Sequence, residues 1–149
     1  MMRALEIKLK GQWNGKAADG IALTFDQRWR RRITLTTKGG ETFLLDLPQA
    51  QVLRGGDALI LEDGRLITVE AAGEDLLEVK ATPTVSLARL AWHLGNRHTP
   101  TAIEDNRILV RKDHVLADML RRLGADVSDV IAPFDPEGGA YATGHAHDH

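Results

Sequence analysis

The period of the apolar residues changes once along this chain, at Ala71-Ala72-Gly73-Glu74-Asp75, and that change limits the possible folds more than any other feature. Before it, the alternation is two-fold. Arg32-Ile33-Thr34-Leu35-Thr36-Thr37 is followed by Lys38-Gly39-Gly40 and then by Glu41-Thr42-Phe43-Leu44-Leu45-Asp46-Leu47, which reads as a hairpin around a Gly-Gly turn. Ala58-Leu59-Ile60-Leu61 and Leu66-Ile67-Thr68-Val69 flank Glu62-Asp63-Gly64-Arg65, a second hairpin with an Asp-Gly turn. Leu53-Arg54-Gly55-Gly56-Asp57 punctuates the interval between them. No stretch in this half has helical periodicity, so residues 1–73 read as a small all-β domain, sandwich or barrel-like.

Beyond the boundary the pattern becomes mixed. Leu76-Leu77-Glu78-Val79-Lys80 reads as a strand, and Thr82-Pro83 offers an N-cap and a first helical residue. Leu87, Leu90, Ala91 and Leu94 follow at helical spacing, with Gly95 as the expected stop. Thr101 to Val110 reads as a hairpin turning at Asp105-Asn106. Asp113 caps a second helix with an apolar face of Val115, Leu116, Met119, Leu120 and Leu123, closed by Gly124, and a last strand runs from Val127 to Ile131. The order β-α-β-β-α-β is the ferredoxin-like arrangement, expected over residues 74–142. The spacing therefore predicts an α+β protein, ending in a flexible His-containing tail at 143–149.

Two domains of this size lie near the lower limit of independent stability, so packing between them or dimerisation would help. With 43% hydrophobic residues and seven aromatics the cores must be mostly aliphatic. The absence of cysteine excludes disulfides, thiolate metal sites and cysteine nucleophiles. No signal-peptide stretch opens the sequence and no run reaches a membrane span, so a cytoplasmic protein without membrane contact is expected. Residues 1–72 carry eleven Lys/Arg against nine Asp/Glu, and residues 73–149 eight against twelve. That imbalance hints at modules with different partners but is too small for nucleic acid. Arg28-Trp29-Arg30-Arg31-Arg32 is the one basic-aromatic cluster; it reads as a solvated loop before the next strand, with an acidic protein partner left open.

All six histidines lie at or beyond position 93. His145, His147 and His149 alternate at the end, with Asp148 among them. Imidazole suits nickel, zinc and copper, and carboxylate is an acceptable companion. A flexible segment can gather two or three such rings on one ion once they have shed their protons, although a degenerate tail would look the same. His98 follows the first helix in Leu94-Gly95-Asn96-Arg97-His98-Thr99-Pro100, at the edge of its module. Alone it cannot hold a metal, but a two-fold dimer would bring two copies together. On spacing alone, a loop histidine with a local hydrogen bond is the plainer alternative. His93, on the polar helix face with Ser86 and Arg89, and His114, behind the Asp113 cap, are weaker candidates.

No phosphate loop, Gly-x-Ser-x-Gly, His-Glu-x-x-His or dinucleotide fingerprint occurs, so an enzyme is not expected and no catalytic residue is nominated. Metal delivery, a metal-dependent adaptor that binds peptide through the β domain while metal only cross-links subunits, and a metalloenzyme using the same histidines are the three competing functions.

Three segments carry a resemblance: His93-Leu94-Gly95-Asn96-Arg97-His98, Asp113-His114-Val115-Leu116-Ala117-Asp118-Met119-Leu120 and Pro133-Phe134-Asp135-Pro136-Glu137-Gly138-Gly139-Ala140-Tyr141. Together with Leu53-Arg54-Gly55-Gly56-Asp57, this combination resembles the UreE family of urease accessory proteins. The resemblance implies a cytoplasmic nickel (Ni2+) metallochaperone that loads apo-urease alongside other urease accessory proteins, with zinc or copper able to occupy the same site. It also implies an Hsp40-like N-terminal domain that binds peptides or partners, and a C-terminal domain that dimerises and binds metal. His98 would be the interface ligand, with His145, His147 and His149 as further ligands. Some members carry extra histidines before the second helix, where this chain has Val110-Arg111-Lys112, which lowers the expectation for His114. With only three tail histidines, on the order of one or two nickel ions per dimer is expected, rather than storage of many.

Overall fold

In the computed structural model, residues 1–138 are described, and along the chain they divide into two compact units between Ala72 and Gly73. The first contains β1 (Arg3–Lys8), β2 (Asp19–Leu23), α1 (Phe25–Arg28), β3 (Trp29–Thr36), β4 (Thr42–Val52), β5 (Ala58–Leu61) and β6 (Leu66–Ala71). Both expected hairpins form. β3 and β4 pair antiparallel with Thr36 opposite Thr42 across the Gly-Gly turn, and β5 and β6 pair with Ile60 opposite Leu66 around Gly64. Gly40 and Gly64 have φ of 97° and 91°, a backbone region that glycine enters without steric cost. The two hairpins join through β1, which pairs parallel with β4 and antiparallel with β5, and β2 adds an edge strand parallel to β6. A six-stranded sheet in the order β2-β6-β5-β1-β4-β3 results. Its core comprises Leu35, Phe43, Leu45, Leu47, Leu59, Leu61, Ile67 and Val69 among others, the inward positions of the two-fold alternation.

Two expectations for this half need correction. A four-residue helix, α1, interrupts the all-β pattern: the Thr24 hydroxyl accepts from the Gln27 N–H while the Gln27 side chain accepts from the Thr24 N–H. Thr-x-x-Gln is a capping-box signature, visible in the sequence though too short to show periodicity. The basic cluster is also not a solvated loop. Arg28 is fully buried, donating from Nη1 to the Leu53 carbonyl at 3.2 Å, with its guanidinium 5.8 Å from the Phe25 ring centre. Residues from Trp29 onward form edge strand β3, where Arg31 and Arg32 join Arg3 around Asp46.

The Leu-Arg-Gly-Gly-Asp segment owes its form to one buried carboxylate. Asp57 is 2% exposed; its Oδ1 accepts from the Lys10 N–H and its Oδ2 from the Arg54 N–H, both at 2.9 Å. Gly56 (φ 95°) lets Lys10 pass close by, since a Cβ there would lie 2.6 Å from Lys10 Cδ. Asp57→Ala would leave two backbone donors without their acceptor, and a loss of about 2 kcal/mol is expected in the N-terminal unit. Denaturant titration followed by tryptophan fluorescence checks this, and an unchanged midpoint would refute it.

The second unit contains β7 (Gly73–Lys80), α2 (Leu87–Asn96), β8 (Thr101–Ile103), β9 (Ile108–Arg111), α3 (His114–Arg122) and β10 (Asp126–Pro133). Every pairing is antiparallel, in the order β10-β7-β9-β8, the strand arrangement of the ferredoxin-like fold. Leu90 and Leu94 of α2 and Leu116, Ala117 and Leu120 of α3 bury against Leu77, Val79, Ile108, Val110 and Val127 of the sheet. The two helices thus cover one sheet face.

Three details depart from the spacing argument. Helix α2 begins at Leu87 under Ser86, whose hydroxyl accepts from the Arg89 N–H at 3.2 Å. Thr82 is instead held in a tight turn with Val85, and its hydroxyl donates to the Gly124 carbonyl at 2.7 Å. Gly95 does not stop α2, which runs through Asn96 to a cap at Arg97. Val115, expected in the core, is 53% exposed, because the inward stripe of α3 is Leu116, Ala117 and Leu120. Among the described residues no helix is long and apolar enough to cross a membrane.

Candidate functional site

Helices α2 and α3 end in the same backbone motif, and comparing the two ends isolates His98. At the end of α3, Gly124 takes φ 100°; its N–H donates to the Arg121 carbonyl, and the Ala125 N–H donates to that of Leu120. At the end of α2, the His98 N–H donates to the Gly95 carbonyl at 3.1 Å and the Thr99 N–H to that of Leu94 at 3.4 Å. Both are Schellman closures, which call for a left-handed residue just past the cap. At α2 that residue is His98, with φ 56°, the one positive-φ non-glycine among the described residues. A side chain at this angle costs free energy that glycine would not. Its imidazole is exposed at the end of the helix, and the αL turn fixes the direction in which its Cβ leaves the backbone.

The other two described histidines border a common cavity. His93 in the last turn of α2 and His114 in the first turn of α3 line one cavity of about 580 Å³, with Arg97, Val115, Asp118, Met119, Arg122 and Leu123. The ring of His93 meets that of the exposed Trp92 edge-on, with centres 5.1 Å apart. Spacing did not reveal this pairing, although topology could have. In a split βαβ unit the helices pack side by side, so the end of the first can approach the start of the second. Two guanidinium groups, Arg97 and Arg122, share the cavity with one carboxylate, Asp118, so positive charge outweighs negative there. His98 is not among its lining residues.

Ordinary ion pairing fixes the far hairpin. Arg107 bridges Glu104 at 2.7 Å and Glu78 at 2.9 Å, and this bond to Arg107 holds the Glu78 carboxyl below its usual range. Among the described residues no group of three or more His, Cys, Asp or Glu side chains is arranged to hold a metal ion. His145, His147 and His149 lie outside the described residues. The described structure therefore places His98 alone at the end of α2, and sets His93 and His114 around one cavity with Arg97, Arg122 and Asp118.

Comparison with known proteins accounts for nearly the whole chain. The model of the UreE urease accessory protein N-terminal domain matches residues 2–72, and that of the C-terminal domain matches residues 74–149. Similar proteins named urease accessory protein UreE occur in Rhodopseudomonas palustris strain HaA2 (54% identity, 97% of this chain and 67% of the relative) and Bradyrhizobium sp. strain ORS 278 (55%, 99% and 70%). Another, from Ruegeria pomeroyi, shares 50% identity over 97% of this chain and 94% of its own length. With both domain models matched in order and half the residues shared with full-length relatives, the chain belongs to the UreE family of urease accessory proteins.

Proposed function

We propose that this chain is a nickel carrier that hands its ion to apo-urease during assembly of the urease metal centre, working in the cytoplasm with other urease accessory proteins. The cargo is held by His98 from each subunit of a homodimer, completed by His145, His147 or His149. The observation that best supports this reading is the backbone at His98. An imidazole occupies the left-handed position that glycine fills at the equivalent end of α3, and such tension between side chain and backbone collects at functional sites. Single histidines bind too weakly to carry an ion, so a second copy and the tail supply what one described subunit lacks. His93 and His114 remain secondary ligands at most, since Arg97 and Arg122 share their cavity. Zinc and copper fit the same imidazole set, so the proposed nickel role rests on delivery and not on affinity order. The N-terminal β domain serves as the contact for peptide or partner protein.

A carrier must also release its cargo. Exposed ligands, with part of the set on a tail, can be exchanged one at a time by an incoming protein. Deleting residues 144–149 is expected to lower nickel affinity or stoichiometry and to slow activation of apo-urease, while the dimer persists in sedimentation. Unchanged titration and activation in that variant would overturn the tail's role.

A further inference from the structure

Strand β3 ends the N-terminal sheet, and among the described residues no strand is paired along its outer side. The direction of its backbone groups follows from the bonds at its far end. The Thr37 N–H donates to the Glu41 carbonyl at 2.8 Å, on the β4 side. Backbone direction alternates along a strand, so Ile33 and Leu35 also turn their N–H and C=O groups to β4. Arg32, Thr34 and Thr36 turn theirs outward. Lys38 continues that outward series, and its N–H donates to the Gly20 carbonyl of β2 at 2.9 Å. The outward groups are thus aligned to pair with a further strand, and at Lys38 one of them does.

The same edge is strongly basic. Three consecutive residues of a regular strand would send at least one side chain toward the core. Between Arg30 and Arg32 the pairing is irregular: β4 runs from Leu47 to Ala50 while β3 supplies Arg31 alone, and all three arginines are exposed. Asp46 stands opposite Arg32 and lies 3.6 Å from it, 3.7 Å from Arg3 and 4.0 Å from Arg31. Those separations exceed hydrogen-bond length. Arg31 also donates to the Leu47 carbonyl at 3.3 Å. Each guanidinium carries five N–H groups, and with 51% and 58% of their side chains exposed, Arg31 and Arg32 keep most of those donors toward solvent. Glu62 is held by Arg3 at 3.2 Å, so the cluster sets Arg3, Arg30, Arg31 and Arg32 against two carboxylates.

We propose that the outer edge of β3 takes up an acidic, extended segment of a partner protein as an added strand. Arg32, Thr34 and Thr36 supply the backbone ladder, and the arginines clasp carboxylates carried on alternate residues of the incoming segment. Guanidinium suits this task better than ammonium, because its planar fork meets a carboxylate with two parallel N–H groups. Guarding an open edge against self-pairing needs little more than a single charge. Three arginines in a row with donors to spare exceed that need. Thr34 and Thr36, exposed and β-branched, suit side-by-side packing with a new neighbour. The inference makes specific the partner contact proposed above for the N-terminal domain, and it rests on that reading. It does not depend on where nickel binds.

The test uses the full chain, labelled with nitrogen-15 and titrated with a short peptide of alternating glutamate and valine, and with the lysine–valine counterpart. The glutamate peptide should move the amide signals from Arg30 to Thr36 selectively and bind more weakly as ionic strength rises. It should also bind about ten-fold or more tightly than the lysine peptide. Thr34→Pro removes an outward N–H and leaves the β4 ladder intact, so uptake should weaken about ten-fold. Arg30→Gln combined with Arg32→Gln should weaken it by a similar factor and remove most of the salt dependence; this pair carries the test if the proline variant fails to fold. Two peptides that bind alike, or an affinity unchanged in both variants, would overturn the proposal. Signals that move elsewhere in the N-terminal unit while β3 stays silent would overturn it and leave the domain a partner contact. A chain that binds neither peptide would count against both readings, and self-association of the glutamine variant would then assign the arginines to guarding the edge.

Discussion

His98→Gly should make the C-terminal domain more stable while it loses its nickel. The two effects have separate origins in one residue. The backbone at 98 has φ 56° because the end of α2 closes through bonds from His98 to Gly95 and from Thr99 to Leu94. Glycine enters that region freely, whereas a residue with a Cβ does so at a cost of roughly 1 kcal/mol. Relief of that cost should raise the melting temperature by about 4–8 °C in a domain of this size. The same substitution deletes the proposed ligand, so on that proposal nickel affinity should fall by more than the roughly 10–100-fold that losing an outer partner of a metal ligand costs. His98→Ala separates the two, because it removes the ring but keeps the Cβ; it should lose nickel with no gain in stability. Scanning calorimetry of both variants without metal, followed by nickel titration, checks the pair. A glycine variant no more stable than the alanine variant would contradict the backbone account, and a glycine variant that binds nickel like the parent would contradict the ligand assignment.

At the end of α3 the opposite substitution should be among the most damaging small changes in the chain. Gly124 has φ 100°, and a Cβ there would stand 2.7 Å from Thr84 Cγ2 and 3.0 Å from Thr84 Cβ. Thr84 has little freedom to withdraw, since its N–H donates to the Thr82 hydroxyl, which in turn donates to the Gly124 carbonyl. Gly124→Ala therefore combines the left-handed cost with a contact against a tethered side chain. The expected loss is about 2–3 kcal/mol, or a fall in melting temperature on the order of 10 °C. Thermal unfolding followed by circular dichroism measures it. A shift of only a degree or two would mean that the turn at Thr82 yields more easily than its hydrogen bonds indicate.

How far the sequence could be read follows from the range over which each signal acts. Asp113 and Gly124 were legible as cap and stop because capping is local chemistry: the carboxylate meets the N–H groups of Val115 and Leu116 within three residues. Both N-terminal hairpins were legible for the same reason, their turns and alternation lying side by side in sequence. The parallel partners β1–β4 and β2–β6 were not, since nothing in either strand names a mate 41 or 48 residues away. Thr82-Pro83 misled because a threonine before a proline satisfies the cap rule, while its hydroxyl is committed across the unit to Gly124. Gly95 misled in a similar way. Composition favours a helix stop at glycine, but the closure falls on His98, and only the hydrogen bonds of Leu94 and Gly95 reveal it. Val115 was placed in the core by a period that fitted Leu116 and Leu120 equally well.

The candidate site was legible in part for chemical reasons. The tail imidazoles stood out by residue type and spacing and His98 only through the family resemblance, whereas the cavity lined by His93 and His114 needed both helices laid on one sheet face. The course of residues 134–137 was hidden for a different reason. Pro133-Phe134-Asp135-Pro136-Glu137 has no periodicity to announce a course, yet it holds a fully buried phenylalanine and a backbone bond to the far edge of the sheet.

The central claim is that imidazoles from two subunits converge on one transferable nickel ion. Its most direct measurement is calorimetric titration of the full chain with nickel near neutral pH, with sedimentation of the same sample to fix the oligomer. A dimer that takes up one shared nickel, lost on substituting His98, is the outcome this account requires. A chain that stays monomeric throughout, or a dimer that binds nickel equally well without His98, would contradict it.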